Sequence, residues 1–597
     1  MKKVVLCLVA FAVVASLLLT SCSGSTTTSQ SAETSTTVKT TLAAPFTTPV
    51  TTQSSTTTES GKWWSKFGTP QYGGSINVYA QSLDTVGFDP ISFFGGMYSG
   101  YWRETLFYYD WTLDRNIWSF PGGFSPPEYL KGLLAEKWEW TGPTTVQVKI
   151  REGVKWQNKP PVNGRELTAQ DIQYNYDRTL GTGSGFTEPS PMAGMLSNIE
   201  RVVAVDKYTV EFRLKNSGAT SIFQIVTNGM GATSFVPPEW VEQGDLTNWQ
   251  YAVGTGPWIL SELVIGNSMT LVRNGDYWGY DERYPENKLP YLDSIKIVAI
   301  PDTSTAIASL RSGRIDLTVT AGAFTWQQAE ALLKTNPEIG QRLLPDPSTS
   351  IGFRVDKKPF DDIRVRKAMQ MAIDRKAIAK TIYGGYVDGK PAGMMTPLLT
   401  DWTVPYDEWP EDLKAEYSYN PEKAKQLLKE AGYPDGFKTH VLMPPTISSE
   451  LMQVVKAYFQ EVGIDMEIRV MEQSAFQAYL AEGKHEQLTG DRFSGMIDTP
   501  TGCLQRRISS SAENYTRNND PVFDELYNRL ISATTMEEAK NISKEADLYT
   551  LRQHWSVNIC PACTPIFWRN TIKGYSGEFM FFPNTAGATW ARLWLAK

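Results

Sequence analysis

Few residues in this chain are of types and spacings that could carry out covalent chemistry. Cys560-Pro561-Ala562-Cys563 is the most suggestive. A C-x-x-C is a redox pair where it begins a helix, or half of a metal site where a second such pair exists. The thiols outside it in the mature chain are Cys22 and Cys503. Val557–Ile559 and Ile566–Trp568 around it read as strand, which favours a structural or incidental pair over a redox one. The three histidines, His440, His485 and His554, form no i, i+4 pair and no H-E-x-x-H, so zinc hydrolysis lacks a ligand set. His554 reads as a satisfied structural residue. No P-loop, G-x-S-x-G or flanked G-x-G-x-x-G occurs, so nucleotide binding and serine hydrolysis lack their parts. The expectation is a non-enzyme without cofactor or metal.

The elements that would position a binding site are better marked. Thr349–Ile378 opens as an alternating strand with Ile351, Phe353 and Val355 on one side. It continues as a helix in which Val365, Ala368, Met369, Ala372 and Ile373 form one apolar stripe. Asp361 or Asp362 caps it, and Arg364, Arg366 and Lys367 are expected outward. Glu128–Trp140 is expected to supply a short helix and Thr145–Ile150 an alternating strand. Thr168, with Asp171 three residues on, starts another helix, and Val202–Leu214 reads as a hairpin about Asp206-Lys207. Asn420–Gly432 is a helix with an Asn cap, Pro421 in the first turn and a Gly stop. Thr439–Met443, Leu451–Val462 and Ile464–Val470 make a β-α-β unit, which requires a largely parallel pairing.

Length and composition set the bounds. At 597 residues several domains are expected. The formal charge of −7 becomes −9 once Lys2 and Lys3 leave with the leading segment, which argues against a nucleic-acid partner. Aromatic residues make up 12%, with 19 Trp, enough to wall a ligand cleft as well as fill cores. Lys2-Lys3, the apolar run Val4–Leu19 and Leu19-Thr20-Ser21-Cys22 read as a secretory signal ending in what looks like a bacterial lipobox, with Cys22 as the lipidated first residue. Residues 23–60 are largely Ser and Thr and cannot bury a core. As a flexible coil they would span roughly 35 Å.

The wording of these segments is more specific than their pattern. Phe360-Asp361-Asp362-Ile363-Arg364-Val365-Arg366-Lys367-Ala368, followed by Ala372-Ile373-Asp374-Arg375, resembles a signature of the family 5 extracellular solute-binding proteins, the ligand receptors of ABC importers. Further resemblances follow in order: GGSINVYA from Gly73, Asp89-Pro90, REGVKWQNKPPVNGRELTAQDIQYNYDR from Arg151, VGTGPW from Val253, LVRNGDYW from Leu271, SGRIDL from Ser312, NPEKAKQLLKEAG from Asn420 and NNDPVFD from Asn518. The run Pro160–Gly164 is longer than the family's usual turn.

What the resemblance implies is an α/β, two-lobed periplasmic-binding-protein-like fold of type II, with mixed sheets, a hinge and an extra domain on the first lobe. The organisation expected is a lipoprotein signal peptide over 1–21 and a disordered tether over 22–68. The first lobe follows over 69–115, 249–347 and 550–597, with the extra domain over 116–248 and the second lobe over 348–549. The implied function is capture of a peptide between the lobes and delivery to an ABC permease with separate ATPase subunits. The protein would be a monomer, lipid-anchored on the extracytoplasmic side. Oligosaccharide or nickel receptors of the same fold are the alternatives, and a secreted hydrolase or an adhesive surface protein are more distant ones. The resemblance puts Gly254, Thr255, Gly256 and Trp258 near the cleft. It puts Asp498 where peptide binders carry an anchor for the α-ammonium, although the stretch Gly495–Thr501 lacks the family's Trp and second carboxylate. A turn-forming Asp ahead of Pro500 is the competing reading of that residue.

Overall fold

A computed structural model of the chain describes residues 62–597 other than 84–86, 92–98, 123, 227–233, 319–323, 347, 400, 497 and 581–585. The signal segment, Cys22 and the Ser/Thr-rich stretch to residue 60 lie outside the described residues. Within the expected tether, the stretch from Lys62 is ordered: Ser65–Phe67 is a turn of 3-10 helix. The Trp63 ring lies 4.0 Å under the Arg115 guanidinium, so the folded part begins with aromatic side chains already in place.

Three sheets carry the architecture. The first is seven-stranded among the described residues, in the order Gly340–Asp346, Ala562–Trp568, Leu317–Thr318, Ser75–Ala80, Ser294–Ala299, Ser268–Arg273, Trp258–Val264. It is mixed, with Ser75–Ala80 running parallel to Ser294–Ala299 and the latter antiparallel to Ser268–Arg273. Its core includes Val78, Leu271, Ile297 and Trp258. The second sheet is five-stranded, in the order Ile464–Val470, Phe437–Met443, Leu488–Ser494, Ser348–Phe353, Ser556–Asn558. Its β-α-β unit is parallel as the spacing requires, with Phe437 opposite Ile464 and Met443 opposite Val470. The third, four-stranded and antiparallel, lies within 135–214 and is covered by helix Ala169–Leu180. That helix starts as the sequence expects: the Thr168 N–H donates to Asp171 Oδ2 at 2.9 Å.

The stretch Thr349–Ile378 shows how local sequence becomes lobe structure. Ile351 and Phe353 are buried and Val355 half-buried. Asp362 caps helix Ile363–Met371 through the Arg364 N–H. A second helix, Arg375–Thr381, starts at once, capped by Asp374 through the Ala377 N–H at 3.0 Å.

Two expectations fail here. Arg366 does not face outward: it is 6% exposed, and its guanidinium donates to the carbonyls of Phe360, Asp361 and Gln553. Five donors in a fixed fork let an arginine be buried where several carbonyls converge. Nor is Glu128–Trp140 helical beyond the short Pro127–Tyr129 turn. Leu130–Gly132 and Ala135–Gly142 are strands, with Trp138 opposite Val148 and Trp140 opposite Val146. Cross-strand partners decide this segment against its helix-forming residues.

The chain passes between the first two sheets twice. It leaves the seven-stranded sheet after Asp346 and enters the five-stranded one at Ser348, and it returns between Asn558 and Ala562. Because Ser556–Asn558 pairs with Ser350–Gly352, the second lobe runs on to Asn558 instead of ending at 549. The lobes also touch away from these crossings. The Ala219 N–H donates to the Ala533 carbonyl at 2.7 Å, and Phe223 packs edge-on against Trp402 with centroids 5.4 Å apart. A Cβ on Gly218 would lie 1.8 Å from the Ile531 carbonyl oxygen. Gly218→Ala is therefore expected to leave each lobe folded, with a scarcely altered melting midpoint, while prising this contact apart. Small-angle scattering should then give a larger radius of gyration for the variant than for wild type.

Candidate functional site

A site between two lobes needs a hinge and two walls. The hinge lies at the paired crossings, since Asp346 is in register with Ala562 and Ser350 with Asn558. Its second strand is held by Arg375, fully desolvated, which donates to the carbonyls of Asn558 at 2.7 Å, Tyr417 at 2.8 Å and Gln370 at 3.1 Å. The C-x-x-C falls on this crossing. Cys560 packs in the second-lobe core and Cys563 beside the first-lobe cluster of Phe324 and Phe567. Cys560 and Cys563 are thiols, and burial pushes Cys560 up to about 12. A thiol that keeps its proton at neutral pH is a poor redox nucleophile, so the structural reading of this pair is the one that fits.

On the first lobe, the turn Val253–Trp258 is buried throughout. Its glycines permit backbone contact: a Cβ at Gly254 would lie 1.9 Å from the Trp102 carbonyl oxygen and one at Gly256 2.8 Å from it. The Gly256 N–H donates to that same oxygen at 2.9 Å. Gln157 clamps the turn from behind, its Nε2 donating to the Trp258 carbonyl at 2.7 Å. The Trp258 indole donates to the Gly587 carbonyl at 3.0 Å. Gly254, Thr255, Gly256 and Trp258 thus serve as scaffold for the segment Trp102–Glu104.

Glu104 is the residue that the sequence reading missed. It is 4% exposed and accepts from Tyr277 Oη at 2.7 Å and Trp278 Nε1 at 3.0 Å. Burial pushes its carboxyl up to about 7 against the pull of hydrogen bonds from Trp278, Tyr277 and Thr255. The available signal was the lone carboxylate in the aromatic-rich run Trp102–Tyr109, together with the Tyr-Trp pair of the LVRNGDYW segment.

On the second lobe, Asp498 precedes helix Pro500–Gln505, which Thr499 caps through the Gly502 N–H at 3.0 Å. Asp498 Oδ1 accepts the Thr499 N–H at 2.7 Å, and Oδ2 pairs with Arg506 at 3.2 Å. Arg506 also pairs with Glu513 at 3.0 Å. Two carboxylates share one guanidinium, leaving a local net charge of −1. The Asp498 side chain is 28% exposed. Near the hinge, a cavity of about 10 Å³ is lined by residues including Met394, Tyr417, Arg507 and Asn558, room for one water. Among the described residues, Asp498 and the 253–258 turn stand on different lobes and make no direct hydrogen bond. His554 is occupied structurally, its Nε2 2.8 Å from Glu416 Oε2. Among the described residues no group of His, Cys, Asp and Glu side chains is placed to hold a metal, and no helix is long and apolar enough to cross a membrane.

Comparison with known proteins agrees with this architecture. Residues 130–514 match the family described as bacterial extracellular solute-binding proteins, family 5 Middle. Heme-binding protein A of Haemophilus influenzae is 28% identical over 456 residues, 71% of this chain and 77% of that protein. Glutathione-binding protein GsiB of Escherichia coli is 31% identical over 369 residues, 61% of this chain and 65% of that protein, just under two thirds of its length. Among solved structures, the periplasmic binding protein DppA of Helicobacter pylori in complex with the peptide STSA superposes with a TM-score of 0.69 at 22% identity, covering 88% of this chain and 99% of that one.

The buried Glu104 has a measurable consequence. Between the ordinary glutamate value of 4.5 and about 7, the folded protein keeps a proton that the unfolded chain releases. Stability therefore falls as pH rises through that window, by up to about 3 kcal/mol from this group. Asp547, also raised by burial, to about 6, adds a decline of the same sign. In Glu104→Gln the decline between pH 4.5 and 7 should be shallower than in wild type, while the part from Asp547 persists. Urea unfolding across that range checks it, and identical slopes would refute the assignment.

Proposed function

The chain belongs to family 5 of the bacterial extracellular solute-binding proteins, and from that premise we propose that it is the extracytoplasmic receptor of an ABC importer, closing on a peptide and presenting it to the membrane permease. The observation that carries the reading is the pair of adjacent crossings between two lobes that also touch through Phe223 and Trp402. Such a frame changes shape by rotation about two strands, and a solute that contacts both lobes favours the closed form by its differential affinity. The chemistry asked of the protein is binding without turnover.

Charge is what selects the peptide class over sugars. Asp498 and Glu513 against Arg506 leave one negative charge at a partly exposed position, which suits an α-ammonium, whereas a neutral sugar gains nothing from it. Glutathione, the ligand in the name of one relative, and the tetrapeptide held by a structural neighbour both carry such an amine. In this reading Asp498 anchors the amine, and the turn Gly254-Thr255-Gly256 with Trp258 acts through the first-lobe segment that it holds. Cys22 is the site of lipidation, the stretch after it is the tether, and the receptor acts as a monomer.

Asp498→Asn should weaken binding of an amine-bearing peptide by about 2–5 kcal/mol with little change in ligand-free stability. Nα-acetylation of the peptide should cost a similar amount without adding to the mutation, as titration calorimetry would show. Wild-type affinity in the variant, or binding of oligosaccharides in place of peptides, would sink the anchor. Separately, Cys22→Ser should move the protein from the membrane fraction to the soluble one, and unchanged retention would rule out the lipid anchor.

A further inference from the structure

Next to Glu104 sits a charge that nothing among the described residues answers. Arg103 is 3% exposed, and its Nε, Nη1 and Nη2 are all without a hydrogen-bond partner. Several other buried arginines are answered by the chain itself. Arg283 pairs with Asp281 and Arg592 with Glu282, while Arg366 and Arg375 each satisfy several carbonyls.

Among the described residues, the charges that act on Arg103 are Asp89 and Arg178. Arg178 already takes both oxygens of Asp89, at 2.8 and 2.6 Å, so among the described residues two guanidiniums face one carboxylate, which leaves one positive charge. Burial pulls the Arg103 pKa down only to about 9, so the group remains a cation at neutral pH. Its backbone is fixed from both sides: the Arg103 N–H donates to the Ser99 carbonyl at 3.0 Å, and a Cβ on Gly254 would lie 3.0 Å from the Arg103 Cα. A desolvated cation with five unused donors is costly to keep unless something supplies acceptor oxygens and a negative charge.

We propose that Arg103 is a binding residue for a carboxylate of the transported solute, its planar fork receiving the two oxygens. The proposal rests on the peptide-receptor reading and narrows it to solutes that carry a free carboxylate, at the C-terminus or on a side chain. The first lobe would then hold the acidic end, and the second lobe, through Asp498, the amine. A zwitterionic solute would bridge the two lobes with opposite charges.

The test uses the ligand-stripped full chain and four probes: Ala-Ala-Ala-Ala, its C-terminal amide, the C-terminal amide of Ala-Ala-Ala-Glu, and succinate. Wild type should bind a peptide with a free carboxylate at least about 30-fold more tightly than the amide that lacks one, and which free acid wins distinguishes a C-terminal from a side-chain carboxylate. Arg103→Met should erase that difference and leave binding of the tetra-alanine amide as in wild type. Arg103→Lys, which keeps the charge and loses the fork, should lie between them and carries the test if the methionine variant does not fold. Equal wild-type binding of acid and amide overturns the carboxylate site while the peptide reading stands. If no peptide binds, the peptide reading fails and succinate decides the site. A rise in melting temperature in wild type that is absent from both variants supports it, and no rise in wild type overturns it.

Discussion

Everything in this protein that concerns ligand hangs on the two adjacent strand crossings between its main sheets. One lies at Asp346–Ser348 and the other at Asn558–Ala562, and the strands on either side are paired with each other. Two side-by-side connections leave one easy rotation and resist the others. The fixed end of the second is set by Arg375, whose guanidinium reaches the Asn558 carbonyl and two more from neighbouring segments. Asp374 caps the helix that presents Arg375, so this adjacent Asp-Arg pair does two jobs: one starts the helix and the other ties it to the hinge strand. Away from the crossings, the lobes also meet at Ala219–Ala533 and Phe223–Trp402.

The two walls of the candidate site treat their polar groups differently. The first wall stacks a glycine-permitted turn on the Trp102 carbonyl and fills the space behind it with Glu104, Tyr277 and Trp278. The second balances Arg506 between two carboxylates. Among the described residues the charges left over are positive near Arg103 and negative near Asp498, the arrangement on which the proposed zwitterionic solute rests.

Much of the fold was legible in the sequence because its rules are local. Caps at Thr168 and Asn420, the apolar stripe of Ile363–Met371 and the parallel β-α-β unit over 437–470 all follow from spacing within a few turns. What was not legible depends on partners distant in the chain. Trp138 and Trp140 sit in a strand because Val148 and Val146 pair with them. Arg366 is buried because the Gln553 carbonyl, 187 residues away, accepts from it. The second lobe continues to Asn558 because Ser556–Asn558 joins the edge of its sheet. Motif order located the 253–258 turn, while its backbone contact with Trp102 and Arg103, distant in the chain, is visible only in the structure.

The central claim is that the protein captures a peptide between its lobes and gives it up chemically unchanged. Its most direct test is to purify the full chain from its own cells without denaturants, unfold it, and identify the released solutes by mass spectrometry, against a control refolded and exposed to the same extract. The account expects a stoichiometric peptide bearing a free amine and a free carboxylate, intact on return after re-addition to the stripped protein. Recovery of a neutral sugar, or of a peptide cleaved on re-incubation, would contradict it.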